Sequence, residues 1–414
     1  MSGGVDSSVA LSLLASPHLP PGISPELAQK LPFTLPNHPS SSASFASSIN
    51  PHGQIPLNPS RDLDISAIFM RNWSPLLSES DHPSWETDCA WEKDWEDVQR
   101  VCKVWDVPVR LIDLSQEYWL HVFEPAVQAW QAGSTPNPDV SCNKHVKFGA
   151  LIDKALPERG GWLATGHYAA TDKTSEGRTR LLRSADQLKD QTYYLSSCSE
   201  SQLSRALFPL ANLTKSTEVR ELAKKFRLPT AEREESMGVC FIGEKRGKFG
   251  EFVGQYTTPE PTPGHLITPT GTILGQHAGL WHYTIGQRAR IPGMKEKWFV
   301  ASKRVGTNEV VVVPGADHQA LCCRALRTSA KEFSWIAGVP PDGLDEEGGV
   351  RARCQVRHRM RDVPAVVRRM CSDLEIRFET PEKGVSPGQV VGLWDERGTW
   401  CLGSGVIDST ECVE

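Results

Sequence analysis

The chain has 414 residues, a formal net charge of −5, 39% hydrophobic residues and 23% charged residues. That length allows two or three domains, and the balance is that of a soluble globular protein. No run of about 18 apolar residues occurs, so no helical membrane span is predicted, and the acidic balance argues against non-specific nucleic-acid binding. Eleven cysteines fall without a Cys-x-x-Cys spacing. They predict free thiols in a reducing compartment rather than a zinc site.

The first element is Ser2-Gly3-Gly4-Val5-Asp6-Ser7, followed by the apolar run Val9 to Leu14. Glycines entering a helix let the backbone approach an anion, its N–H groups turn inward, and the helix N-terminus adds partial positive charge. The pattern predicts a phosphate cradle; a glycine turn capping an ordinary helix is the alternative. Residues 17–60 hold ten of the thirty prolines and a serine tract, without helical or strand period. They predict a largely disordered surface insertion. Ile65 to Met70 and Val107 to Ile112 read as strands. Trp91 to Trp105 carries a helical spacing through Trp95, Val98, Val101 and Cys102. Gly161 to His167 reads as a strand ending in a loop. This alternation predicts an α/β fold with a doubly wound parallel sheet, ligands meeting the strand C-termini. From about Phe252 glycine, proline and short runs such as Val310 to Val313 and Gln389 to Trp394 predict small all-β domains.

Two segments carry candidate chemistry. In Gly133 to Lys144 two prolines stiffen a loop that presents Asn137 and Asp139, groups able to read a nucleobase edge. Cys142 follows, with Lys144, His145 and Lys147 close in sequence. Positive charge there favours thiolate, although a cysteine beside lysines is often inert. Cys240 sits between glycines in Gly238-Val239-Cys240-Phe241-Ile242-Gly243, as a mobile thiol or a small core residue. Farther on, Arg351, Arg353, Arg357, Arg359 and Arg361 repeat at odd positions, with Arg368 and Arg369 beyond. On a strand that period predicts one basic face suited to RNA phosphates.

Taken in order, Ser2 to Ser7, Phe69-Met70-Arg71-Asn72-Trp73, the Asn137-Pro138-Asp139-x-x-Cys142-Asn143-Lys144 loop, Ala164 to Tyr168, Lys189 to Tyr193, Gly238 to Gly243 and Thr284 to Arg288 resemble the tRNA 2-thiouridylase family of PP-loop ATP pyrophosphatases. The resemblance runs to about Gln389. It implies an adenine nucleotide hydrolase-like catalytic domain at 1–247, a small β-rich central domain at 248–314 and a tRNA-contacting C-terminal β-barrel at 315–414. It further implies ATP with Mg²⁺ at Ser2, Gly3, Gly4, Asp6, Ser7, Met70 and Gly166, without a resident metal. Asp6 is placed near that Mg²⁺, or acts as a helix cap. Asn137, Pro138 and Asp139 are implied to meet the target base. His167, Lys189, Asp190, Gln191, Arg357, His358 and Gln389 are implied to contact tRNA at its anticodon loop. Cys240 would carry persulfide sulfur from a cysteine desulfurase or relay protein. Cys142 would be its partner, and a reductant would reset a Cys142–Cys240 disulfide.

The family carries an apolar strand immediately before its Ser-Gly-Gly, whereas here only Met1 precedes the motif. The expectation is a chain truncated at its N-terminus, lacking the first central strand and binding ATP weakly. The proline-serine insertion resembles eukaryotic members, which places the protein in mitochondria, with the cytoplasm as alternative. Two competing functions remain at this point. One is another PP-loop adenylating enzyme, such as a GMP synthetase or argininosuccinate synthetase. The other is a tRNA-binding protein that has lost catalysis.

Overall fold

A computed structural model of the chain describes residues 1–16, 20–31, 64–73, 90–158, 160–234, 253–254, 256 and 262–413. Cys240, its flanking motif and most of the 17–60 insertion lie outside the described residues. The chain divides into two compact units: Met1–Trp119 with Cys142–Gly243, and Leu120–Ser141 with Glu244–Glu414. Leu120–Ser141 belongs to the compact unit of the β-rich regions.

In the first unit the helix Val5–Ala15 buries Val5, Val9, Ala10, Leu11 and Leu13. Ser8 and Ser12 are buried with them. Its buried hydroxyls are satisfied locally: Ser8 Oγ donates to Gly4 O at 2.8 Å and Ser12 Oγ to Ser8 O at 2.8 Å. Strand Ala67–Arg71 pairs in parallel with Val109–Asp113, close to the two apolar runs predicted. Helix Ala90–Val104 sends Val98, Val101 and Cys102 into the same core, with Trp91 and Trp95 packed against it. A second parallel pair joins Leu163–Ala164 to Ala206–Leu207. The expected strand at 161–167 is cut to these two residues, because the chain then turns into the site.

Part of the segment expected to be disordered is ordered. Pro25–Lys30 forms a helix whose N-cap, Ser24, accepts from Leu27 N–H at 3.1 Å. Ser-Pro at N-cap and N1 is a helix start that the proline count concealed. Leu27 and Leu31 hold this turn in the core.

The second unit contains a five-stranded sheet ordered Ile273–His277, Gly264–Ile267, Glu309–Pro314, Trp298–Arg304 and Arg288–Ala289. Val310 and Val312 face one apolar cluster while Val313 faces another. This explains why the predicted strand reads as an unbroken apolar run. A larger antiparallel sheet runs through Ser409–Cys412, Cys322–Ser329, Asp373–Lys383, Val363–Met370, Val350–Gln355, Val390–Trp394 and Trp400–Val406. Its core includes Leu326, Phe333, Cys354, Ile376, Phe378 and Leu393. Arg351 is exposed and Arg353 half-buried, each one residue away from buried Ala352. The strand ends at Gln355, and Arg359 takes a positive φ of 64°. The arginine face therefore covers only Arg351 and Arg353, and Arg357, Arg359 and Arg361 sit in the following turn.

The Met1 amine donates to Ile68 O, and loss of hydration pushes its pKa down to about 6 from 8.0. In a chain with a free amine at Met1, the unfolded state binds a proton between those values and the folded state does not. Stability should then fall as pH drops from about 8 to about 6, by about 2–3 kcal/mol. Denaturant unfolding across that window checks this, and N-terminal acetylation should remove that part of the slope.

Candidate functional site

The Ser2–Ser7 turn is shaped by contacts that only glycine permits. Gly3 has φ +73°, and a Cβ there would lie 2.8 Å from Asp94 O. Gly4 is the N-cap of the following helix, and no side chain caps it, so the helix start is open to an anion. Ser2 N–H donates to Ser7 Oγ at 3.2 Å, and Ser7 Oγ donates to Gly4 O at 3.1 Å. Gly166 presses on this turn from the loop after Leu163–Ala164. A Cβ on it would stand 2.8 Å from both the Asp6 carbonyl carbon and Ser7 N. Met70 lies near the C-terminal end of strand Ala67–Arg71, half-buried. These residues fit a nucleotide phosphate. Among the described residues, no group of three or more His, Cys, Asp or Glu could hold a metal ion.

Asp6 is not the helix cap. Its Oδ1 accepts from Tyr168 OH at 3.0 Å and its Oδ2 from Lys215 Nζ at 2.8 Å. Behind the turn, Arg233 donates to Gly3 O at 2.9 Å and to Asp97 Oδ2 at 2.5 Å, and also pairs with Asp94. Burial raises the Asp94 carboxyl's pKa, against the opposing pull of Arg233. Tyr168 was visible only as a motif member, and Lys215 and Arg233 were not singled out at all. They approach from 209 and 230 residues away in sequence, and no local pattern announces such partners.

Cys142 begins a π-helical stretch, Cys142–Ala150, after the short helix Pro138–Ser141. It is buried, as are Asn143, Val146 and Phe148. Lys147 Nζ lies 3.4 Å from His167 Nε2, and Thr165 Oγ1 lies 2.8 Å from His167 Nδ1. Burial, then the Lys147 charge, holds His167 well below the usual imidazole range. The ring is thus neutral, with Nε2 accepting from Lys147 and Nδ1–H donating to Thr165. It packs against Phe148 and Phe208. The residue expected at tRNA is here enclosed, orienting Lys147. Nearby Cys198 shows that lysines alone do not make a thiolate. Burial pushes its thiol up to about 12 although Lys144 and Lys147 both oppose this.

The Lys189–Gln191 trio divides by burial. Asp190 is buried; it accepts from Thr192 N–H at 2.8 Å and Ser184 N–H at 3.2 Å and faces Arg183 at 3.7 Å. Desolvation still raises its pKa above the ordinary carboxylate value. Gln191 exchanges two bonds with Tyr168, its N–H to Tyr168 O at 2.9 Å and its Oε1 from Tyr168 N–H at 3.0 Å. Both residues frame the site. Lys189 remains half-exposed beside Leu188, which is 85% exposed.

In the second unit Asn137, Pro138 and Asp139 are half-buried. Gln389 Nε2 donates to Thr135 O at 2.7 Å and is 3.4 Å from Pro136 O, so this expected tRNA contact is engaged with the loop itself. Arg357 Nη1 donates to Lys383 O at 2.7 Å while the residue stays exposed, and His358 is half-buried.

A nucleotide-type cradle on a parallel α/β unit, with β-rich sheets following, defines a HUP-domain protein with appended β domains. Residues 57–244 match the tRNA methyl transferase HUP domain, 250–314 the tRNA methyl transferase PRC-barrel domain, and 326–407 the aminomethyltransferase beta-barrel domain. The chain is 40% identical over 351 residues to tRNA-specific 2-thiouridylase MnmA of Thiobacillus denitrificans, covering 83% of this chain and 92% of that one. It is 39% identical to the protein of the same name from Nitrosomonas eutropha, covering 83% and 91%. The Streptococcus thermophilus protein is 38% identical, covering 83% and 88%. The chain belongs to the tRNA-specific 2-thiouridylase family.

Gly166→Ala should push the Asp6–Ser7 backbone off its position. The expected costs are about 1–3 kcal/mol of stability and at least about tenfold in ATP-analogue affinity. Gly306→Ala, where nothing lies within 4 Å of the added Cβ, should change neither. Calorimetric titration and denaturant melts of the two variants make the comparison.

Proposed function

We propose that this chain is an ATP-dependent tRNA-uridine 2-sulfurtransferase, acting on the wobble uridine. One observation carries the reading: 40% identity across 92% of a 2-thiouridylase. The glycine-built turn beneath an uncapped helix supplies the matching chemistry. Ser2, Gly3, Gly4 and Ser7 would hold the phosphates of ATP and its Mg²⁺, with Met70 and Gly166 on the adenosine side. Asp6, tied to Lys215 and Tyr168, would stiffen the turn rather than ligate that ion.

Asn137 and Asp139 would grip the edge of the flipped uridine, which a single-stranded loop gives up at low cost. The C2 oxygen attacks the α-phosphorus of ATP, pyrophosphate leaves, and the oxygen becomes part of a good leaving group. The terminal sulfur of a Cys240 persulfide then attacks C2 and AMP departs with that oxygen. Cys142 thiolate attacks the Cys240 sulfur, breaks the S–S bond to the transferred sulfur, and leaves a Cys142–Cys240 disulfide. An external thiol reductant restores both thiols. A route through released sulfide uses the same two residues. The sulfur source would be a cysteine desulfurase or a relay protein, and the compartment the mitochondrion, on the resemblance of the 17–60 insertion to eukaryotic members.

Nucleoside mass spectrometry of tRNA incubated with the chain, ATP, Mg²⁺ and a persulfide donor should show 2-thiouridine with stoichiometric AMP. Cys142→Ser and Cys240→Ser should each abolish thiolation while tRNA affinity stays unchanged. Full activity in either variant removes the two-thiol route. AMP-free tRNA binding by the parent chain would mark a binder instead of an enzyme.

A further inference from the structure

The loop bearing Asn137, Pro138 and Asp139 starts at the C-terminal end of the helix Glu124–Gln131. The chain leaves that helix through Gly133, at φ +74°. The Gly133 and Ser134 amides still donate back into it, to Trp130 O and Ala129 O, each at 2.9 Å. Carbonyls beyond a helix C-terminus face outward and carry partial negative charge.

Lys303, on strand Trp298–Arg304, reaches this point. Its Nζ donates to Gly133 O at 2.9 Å and lies 3.4 Å from Thr135 Oγ1. Burial alone lowers its pKa, to about 8, and among the described residues no carboxylate forms an ion pair with it. From the larger sheet, Thr135 N–H donates to Pro387 O at 3.0 Å, and Gln389 holds Thr135 O at 2.7 Å. Gly388, at φ +89°, lets the two backbones meet: a Cβ there would lie 2.7 Å from Thr135 N. Gly133, Thr135 and Pro136 are thus gripped by Lys303 from one sheet and by the Pro387–Gln389 turn leading into another.

We propose that Lys303 and Gln389 are positioning residues that clamp the Gly133–Pro136 backbone, so that Asn137 and Asp139 meet the target uridine in one fixed geometry. The inference rests on the reading of Asn137–Asp139 as the base-contacting loop. A half-buried cation without a carboxylate gains little stability from its place, and an apolar residue of similar volume is commonly as stable or more so. Stability alone therefore does not select lysine at this position. The clamp gives it a use, because displacement of a reacting group by about 1 Å can cost about 100-fold in rate.

The test uses the full chain and three variants, Lys303→Met, Lys303→Arg and Gln389→Leu. Hydrogen exchange of the Thr135 amide should quicken at least about tenfold in Lys303→Met and Gln389→Leu. In both, kcat for thiolation should fall about tenfold or more, with KM for tRNA within about twofold. Lys303→Arg should restore most of the rate, and Lys303→Met should melt no lower than the parent. Unchanged exchange in both Lys303→Met and Gln389→Leu overturns the clamp. Faster exchange with undiminished kcat overturns its role in positioning. If the parent itself makes no 2-thiouridine while exchange responds as expected, the clamp stands and the functional reading fails. Should Lys303→Met not fold, Gln389→Leu carries the same expectations.

Discussion

A turn that offers its helix N-terminus to a phosphate must be anchored without capping that helix. The Ser2–Ser7 turn meets this constraint by being held largely through its acceptors. Arg233 takes Gly3 O, the Ser7 and Ser8 hydroxyls take Gly4 O, and Lys215 and Tyr168 take the Asp6 carboxylate. A side-chain cap would satisfy an orphan N–H but would occupy the anion's place. In the proposed reading this turn takes the phosphates of ATP, and the Asp6 carboxylate does not stand there as an uncompensated charge. Its charge is compensated by Lys215 at 2.8 Å.

In the thiol region, too, framework groups are held neutral, here by burial. His167 is kept neutral by burial and serves as an acceptor for Lys147. Cys198 is kept protonated by burial even though Lys144 and Lys147 act on it. Desolvation outweighs two lysines there, so charge near a cysteine in sequence is a weak guide to reactivity.

Much of the scaffold was legible because its signals are local. The apolar runs before Met70 and before Ile112, the helical spacing of Trp95, Val98 and Cys102, and the valines of Glu309–Pro314 each state their own environment. Gly166 could be singled out by motif, but its reason, contact with Asp6 and Ser7, exists only in three dimensions. Lys215 and Arg233 lay beyond sequence reasoning, since the turn residues they hold, Asp6 and Gly3, are more than 200 residues away. The arginine period was real as a pattern and misleading as a strand, because the chain turns after Gln355. Asp190 and Gln191 could not be separated from Lys189 without knowing which side chains are enclosed.

Buried Asp190 and half-buried Lys303 show two ways of holding a charge in the fold. Asp190 is surrounded by donors from Thr192 and Ser184 and faces Arg183, so its removal would leave several groups unsatisfied together. Its neighbourhood is self-sufficient, and a framework role explains it fully. Lys303 has only oxygens of the 133–135 loop as partners and no compensating carboxylate among the described residues. Such a cation contributes little to folding. What it does contribute is placement: a helix end and the loop leaving it are drawn to one strand, while Gln389 draws them to another. The β-rich unit thereby acts on the backbone just ahead of Asn137.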